Sequence, residues 1–390
     1  MANLSFDNTE VAFKYKSLKD LKWSKWLFGL FNYPTLVKYG PALAGWALRA
    51  KLPVKAMVKN TIFKQFCGGE TIEESGKTAD VLSSFGVRSI LDYSVEGIED
   101  EANFDANVEE IIKTILAAKN EDKYPFAVFK CTGIGRFEIL HKAYEKKLNS
   151  DEEAEFERFK NRVRLLGKTA AENGVKLLID AEETWIQDVI DASAMELMKL
   201  YNKNEVFIYN TLQMYRVDRL SYLKKTAEVA KSDGYKLGYK LVRGAYMEKE
   251  RERASKLNYP SPIQPDKATC DADFNAAVKF CFENRETISI ILGTHNEDSS
   301  KLLAELMLKN NISMDDNRFW FGQLYGMSDH ITFNLADNGF NACKYLPYGP
   351  VSAVMPYLGR RAEENSSMGK QVGREMSLIM KELNRRKSLA

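Results

Sequence analysis

Histidine is scarce in this sequence, cysteine is sparse, and long apolar runs are missing. The three histidines, His141, His295 and His330, stand far apart with no HExxH or similar pairing. That disfavours a zinc site, and no metal is expected. The five cysteines, Cys67, Cys131, Cys270, Cys281 and Cys343, show no C-x-x-C spacing. An odd count in a chain of 390 residues argues against a disulfide scaffold and for reduced, buried thiols. No stretch of about 18 apolar residues is free of charge and proline, which argues against a membrane-spanning helix. An excess of one charge sign is lacking too: 56 Lys and Arg face 54 Asp and Glu, for a net charge of +2. A general nucleic-acid binder carries a basic excess, so no nucleic-acid partner is expected. The opening residues, Met1 to Asp7 with Glu10 following, have neither the basic start and apolar core of a secretory signal nor the acid-poor composition of a mitochondrial transit peptide. A cytoplasmic location is the expectation.

What the chain does have is 45% hydrophobic and 11% aromatic residues, enough for a substantial core and too many for disorder. Two regions differ in character. Residues 1–80 read as a helical, basic arm. Residues 1–60 alone hold ten Lys or Arg against three Asp or Glu. From residue 81 to 390 a second rhythm takes over, in which short β-branched or aromatic runs alternate with amphipathic stretches such as 156–173 and 220–232. Eight runs read as strands, at 86–93, 126–131, 175–180, 206–210, 237–243, 289–293, 318–321 and 341–346. Alternation of this kind implies a parallel sheet, and eight units imply a distorted (β/α)8 TIM barrel, an α/β fold, with an N-terminal helical arm. The competing fold, a doubly wound open sheet, usually shows a glycine-rich turn after its first strand, and GxGxxG is absent. The charged stretch 145–166 reads as a solvated helical excursion.

In a barrel the chemistry sits at the C-terminal ends of the strands. That rule selects Asp92, Lys130, Asp180, Asn210, Gln213, Lys240, Arg243, Thr294, His295, Asn296, Gln323 and Tyr345. Asp180 alone reads equally well as an N-cap for the helix that follows it. Lys130, Lys240 and Arg243 give the set a cationic excess suited to a carboxylate, a diphosphate or a reduced flavin. A second cluster stands near the C-terminus. If 357–365 is helical, Tyr357, Arg360, Arg361 and Glu364 share one face at i, i+3, i+4 and i+7. Tandem arginines beside an aromatic ring can fork onto a carboxylate while the ring covers its apolar body, and Glu364 can hold one guanidinium in place.

Five motifs extend these clusters: DAEET (180–184), LVRGAYMEKERERA (241–254), GTHN (293–296), FGQLYGM (321–327), and YLPYGP with YLGRRAEENSS (345–367). In this order they resemble the proline dehydrogenase / proline utilization A family, and the resemblance covers about residues 60 to 380. The resemblance is to its FAD-dependent, stand-alone, eukaryote-like branch rather than to the long bifunctional proteins with an added aldehyde dehydrogenase domain. It implies non-covalent FAD, oxidation of L-proline to Δ1-pyrroline-5-carboxylate, and transfer of electrons to a membrane quinone. By motif match, Lys130, Arg360 and Arg361 would hold the proline carboxylate, and Tyr246, Tyr345 and Tyr357 would line the ring. Asp180 and Glu364 would organise the cations. Glu96, pairing with Arg360 when substrate is absent, would act as a gate. Asn210, Gln213, Lys240, Arg243, Gly244, Ala245, Thr294, His295, Asn296 and Gln323 would hold FAD. Many family members have Arg where this chain has Lys240. Lys keeps the charge but loses the planar fork, which bears on flavin potential and rate.

Two alternative activities fit the same residues: oxidation of 4-hydroxyproline, and a non-catalytic barrel that binds flavin or amino acid. Tyr345 over the ring leaves little room for an added hydroxyl. Trp23, Trp26, Phe28 and Phe31, amid Lys22, Lys25 and Lys38, suggest peripheral contact of the arm with the inner face of a membrane. Packing of those aromatics against the rest of the protein is the competing reading.

Overall fold

Each of the eight β-branched or aromatic runs becomes a strand. The computed structural model describes residues 4–31, 33–95, 99–367 and 369–389. Among them, β1 spans Arg88–Tyr93, β2 Phe126–Lys130, β3 Lys176–Asp180, β4 Ile208–Gln213, β5 Leu237–Val242, β6 Ile288–Gly293, β7 Phe319–Leu324 and β8 Ala342–Tyr348. They form a closed barrel in the order β1 to β8, and the recorded pairings, β1 with β8 and β2 through β6 in succession, are parallel. The expected (β/α)8 architecture is therefore present. β4 departs most from its expected position: it starts at Ile208 and runs to Gln213. Asn210 thus lies inside the strand rather than at its end.

The helical expectations gain detail. Asn149 caps Ser150–Glu172 in a capping box with Glu152, satisfying backbone N–H groups that the helix start leaves without partners. Phe159, Val163, Leu166 and Ala170 form its buried stripe at helical spacing. The charged stretch is thus solvated on one side only. The five cysteines are buried thiols with no disulfide. Among the described residues no helix is long and apolar enough to cross a membrane.

The chain divides into two compact units, residues 1–97 with 322–390, and residues 98–321. The first 80 residues share a unit with β1, β8 and the C-terminal helices, and the helix Ile72–Ser83 runs across position 80. In this unit Leu21, Leu27, Phe28, Phe31 and Phe66 pack with Val351, Val354, Leu358, Leu378 and Ile379. Phe28 and Phe31 are therefore core residues, at 1% and 6% exposure, while Trp26 stays 53% exposed. Trp23 is partly buried against the same core.

A buried ionic cluster ties the same unit together. Asp329 takes a hydrogen bond from the Tyr15 hydroxyl at 2.7 Å and pairs with Lys16 and Lys344, each at 2.9 Å. Burial pushes the Asp329 carboxyl up, but Lys16 and Lys344 outweigh it and hold the group well below the ordinary carboxylate range. Gly326, in the FGQLYGM motif, has a left-handed φ of +78°. A β-carbon there would fall 1.9 Å from the Gln65 carbonyl oxygen, so only glycine fits. Gln65 in turn donates to the Gly326 carbonyl at 2.7 Å.

In the second unit, Phe126 of β2 meets Tyr209 of β4 and Trp320 of β7 edge-on, both at 5.3 Å. Lys176 of β3 lies 5.3 Å from the Trp320 ring. These residues fix the parity of the strands, because side chains alternate between faces with period two.

Candidate active site

Parity sorts the expected site residues. On β5, Tyr239 turns out to the surrounding helices, where its hydroxyl donates to Thr226 at 2.8 Å. Its neighbour Lys240 must therefore turn in, and it ion-pairs with Asp180, the last residue of β3. Lys130 and Asp180 are the final registered pair of β2 and β3. Lys130, Asp180 and Lys240 thus form one group at the strand ends, with Lys240 only 6% exposed. Asp180 is not a helix cap. The next helix, Thr184–Tyr201, starts four residues later behind Glu183.

Asn210 takes the opposite direction from Lys240. Fully buried, it donates to Asp191 at 2.8 Å, and Asp191 pairs with Arg219 at 2.6 Å. It belongs to a polar network between β4 and the helix shell. Gln213, three residues on and of opposite parity, donates to the Glu182 carbonyl at 2.7 Å and accepts from the Ala245 amide at 3.4 Å.

Beyond β5, Arg243 is held by Asp271 at 2.7 Å and donates to Thr294 at 2.8 Å and Ser299 at 3.1 Å, over the Phe274 ring at 4.4 Å. This brings LVRGAYM and GTHN together. Gly244 follows at φ +138°, where a β-carbon would strike the Tyr215 ring at 2.6 Å. His295 is half-buried. Asn296 spends its side-chain oxygen on the Ser299 amide at 2.8 Å as the cap of Glu297–Lys309. Tyr246, half-buried, precedes the helix Met247–Leu257.

The first unit carries the other expected residues. The helix Met355–Ser367 does form. On it, Arg361 is 8% exposed, donates to Glu364 at 2.5 Å, and sits 5.2 Å from the Tyr357 ring centroid. Arg360, on the same helix, is half-buried. Tyr357 is 5% exposed, and its buried hydroxyl has no hydrogen-bond partner among the described residues. Burial pushes the Glu364 carboxyl up, with Arg361 and Arg360 pulling back only in part. On β8, Lys344 turns out to Asp329, so Tyr345 turns in. Gln323 is buried and accepts from Thr332 of the following helix at 2.7 Å. The proposed gate residue Glu96 lies outside the described residues.

Several residues with perturbed or shared roles escaped the sequence reading. Glu250 is wholly buried and accepts from both the backbone N–H and the hydroxyl of Thr184 at 2.7 Å. Lys249 pairs with Glu183. DAEET and the MEKERE stretch thus lock to each other, a link that no local spacing signals. A cavity of about 820 Å³ in the second unit is lined by Trp185, Asp188, Arg216, Arg253 and Tyr259 among others, and none of the expected site residues lines it.

Glu182 lies within DAEET, and its motif position alone signals no role. It accepts from the Thr132 amide at 3.0 Å and from the Thr132 hydroxyl. Burial pushes its carboxyl up to about 7, against the pull of Thr132 and Lys130. The folded protein therefore binds a proton that the unfolded chain has released between pH 4.5 and about 7. Its contribution is complete below the ordinary carboxyl pKa and fades as pH rises through 7. Glu182→Gln, neutral throughout, should match the wild type in acid and exceed it above neutrality by about 3 kcal/mol. Denaturant unfolding across pH measures this, and parallel profiles for the two proteins would refute it.

The donor set of Lys240, Arg243, Thr294 and the backbone around Gly244 suits a polyanionic, flavin-bearing nucleotide in its chemistry. Comparison with known proteins gives the context. Residues 75–374 match the proline dehydrogenase family. The chain is 36% identical to the carbapenem antibiotics biosynthesis protein CarD of Pectobacterium carotovorum subsp. carotovorum, over 82% of this chain and 83% of that one. It is 33% identical to the mitochondrial proline dehydrogenase 2 of Arabidopsis thaliana, over 88% and 83%. Its fold matches proline utilization A from Bdellovibrio bacteriovorus with a TM-score of 0.71 at 22% identity, covering 93% of this chain and 37% of that one. The chain thus spans little more than a third of that larger protein. On the extent of the sequence match, this chain belongs to the proline dehydrogenase family.

Proposed function

We propose that this chain oxidises L-proline to Δ1-pyrroline-5-carboxylate with FAD as a non-covalent cofactor. One observation carries the reading: Arg361 is buried, fixed by Glu364 and laid over the Tyr357 ring. A buried, pre-oriented guanidinium beside an aromatic wall is a receptor for a carboxylate with a small apolar body. Arg361 and Arg360 hold the carboxylate, with Lys130 adding positive charge, while Tyr345, Tyr357 and Tyr246 line the ring. Asp180 and Glu364 keep the cations in position.

FAD, when bound, supplies the two-electron acceptor for the hydride that leaves the ring carbon next to nitrogen. Arg243, Thr294 and His295 would hold its diphosphate, and Gln213, Gly244 and Ala245 would shape the adjoining loop. Lys240 would stabilise negative charge at the isoalloxazine end. The proline amine gives its proton to solvent, since no histidine base stands among the proposed substrate residues. Electrons pass on to a membrane quinone, with the protein bound peripherally on the cytoplasmic face.

An anaerobic spectrum before and after addition of L-proline tests this. The oxidised-flavin band should bleach. A band that persists with proline but bleaches with 4-hydroxyproline would reassign the substrate. A protein that cannot be loaded with FAD would overturn the cofactor reading.

A further inference from the structure

Between Asp20 and Glu70 the chain carries eight lysines and arginines and not one acid. Within this stretch lies the helix Pro34–Arg49. Its Tyr39, Leu43 and Trp46 share one face at i, i+4 and i+7 and are 59%, 65% and 56% exposed. Lys38 and Arg49, three turns apart, border that face, and the Lys38 ammonium lies 5.5 Å from the Tyr39 ring centroid. The opposite face buries Val37 and Ala47 and packs on Met355–Ser367, the helix of Arg361. There, a side chain on Gly359 would press on Pro41 at 3.3 Å.

A contiguous exposed strip of two aromatics and a leucine is rare on a surface that meets only water. Aromatic rings beside cations, with no acid nearby in sequence, match the boundary between anionic headgroups and acyl chains. A second copy of this chain fits the face less well. A two-fold contact would bring Lys38 and Arg49 of both copies together. We infer that the outer face of Pro34–Arg49 seats the protein on an anionic lipid bilayer, lying in the headgroup plane with Tyr39, Leu43 and Trp46 inserted. Phe28 and Phe31 do not make this contact, because they are core residues. The inference rests on the reading that a membrane quinone takes the electrons, and it places the lipid-bound helix directly against the helix that holds substrate.

Sedimentation with phosphatidylglycerol–phosphatidylcholine vesicles, against phosphatidylcholine alone, tests the surface. Wild-type protein should pellet with the anionic vesicles. The triple variant Tyr39→Ser, Leu43→Ser, Trp46→Ser should lose at least about tenfold in partitioning. The pair Lys38→Glu, Arg49→Glu should lose at least about 30-fold on anionic vesicles only. Both variants should oxidise proline with a soluble dye acceptor as the wild type does, and both should lose reduction of quinone in vesicles. A triple variant that pellets like the wild type overturns the assignment. So does a wild-type dimer that the triple variant converts to a monomer, since the face then belongs to a second copy. Absence of proline–dye turnover in the wild type would instead overturn the functional reading, while vesicle binding would still decide the surface.

Discussion

Replacing Arg361 with methionine should raise the KM for L-proline by about 10- to 100-fold, the loss expected for one to two charge-assisted hydrogen bonds to a carboxylate. The effect should fall mainly on KM, because the carboxylate takes no part in bond breaking and is held alike in ground and transition states. The FAD content should not change, since Arg361 lies in the proposed substrate set and not in the proposed cofactor set. Methionine keeps the bulk over the Tyr357 ring. Glu364, already pushed up by burial, would take up a proton rather than remain a lone buried charge, so the variant should fold. Steady-state kinetics with the flavin-to-protein absorbance ratio checks both halves. An unchanged KM would remove Arg361 from substrate binding. Arg361→Lys should recover only part of the loss, because an ammonium lacks the planar fork.

Asp329→Ala should be the more damaging change to stability, at about 3–5 kcal/mol. It strips the counter-ion from Lys344, which has no exposed surface, and from Lys16, whose side chain is 11% exposed. It also leaves the Tyr15 hydroxyl without its acceptor. Burial already lowers the Lys344 pKa, and Asp329 is the chief opposing influence. Without Asp329 the lysine must either lose its proton or remain charged in a dry site, and both cost free energy. The urea midpoint should drop with the slope unchanged. The double variant Asp329→Ala, Lys344→Met should recover part of the loss, because removing both charges avoids the orphan. Additive losses in that cycle would show that the pair is not coupled.

These two sites differ in how far the sequence disclosed them. Tyr357, Arg360, Arg361 and Glu364 were legible because helical spacing alone puts them on one face. The strands were legible as β-branched runs bounded by polar residues, and parallel pairing follows from their alternation with helices. Asn210 and Gln213 are three apart and cannot face the same side of one strand, so the sequence already held the reason that one points to the helix shell and the other does not. The Asp329 cluster was not legible. Its members come from positions 15, 16, 329 and 344, and no local period connects them. The same holds for Glu250 and Thr184, whose bond depends on where the first turns of two barrel helices meet. Trp23 to Phe31 were legible only in part: a basic aromatic stretch reads as interfacial, and only the packed core separates Phe28 and Phe31, which are buried, from Trp26, which stays exposed.

The pairing of β1 with β8 has a consequence for synthesis. Arg88 registers with Cys343 and Tyr93 with Tyr348, and Arg386 near the C-terminus donates to the Phe13 and Lys16 carbonyls. On the ribosome, the first strand and the helices before it emerge while the residues that complete their unit are still untranslated. Residues 98–321 form their own compact unit, whereas the apolar face of Leu18–Leu30 meets Phe66 early but stays without Leu378 and Ile379 until the helix Gly369–Ser388 is made. Long-range closure of this kind is slow and leaves apolar surface open in the interval. The nascent chain should therefore depend on holding chaperones in the span between the end of β7 and synthesis of the helix Gly369–Ser388.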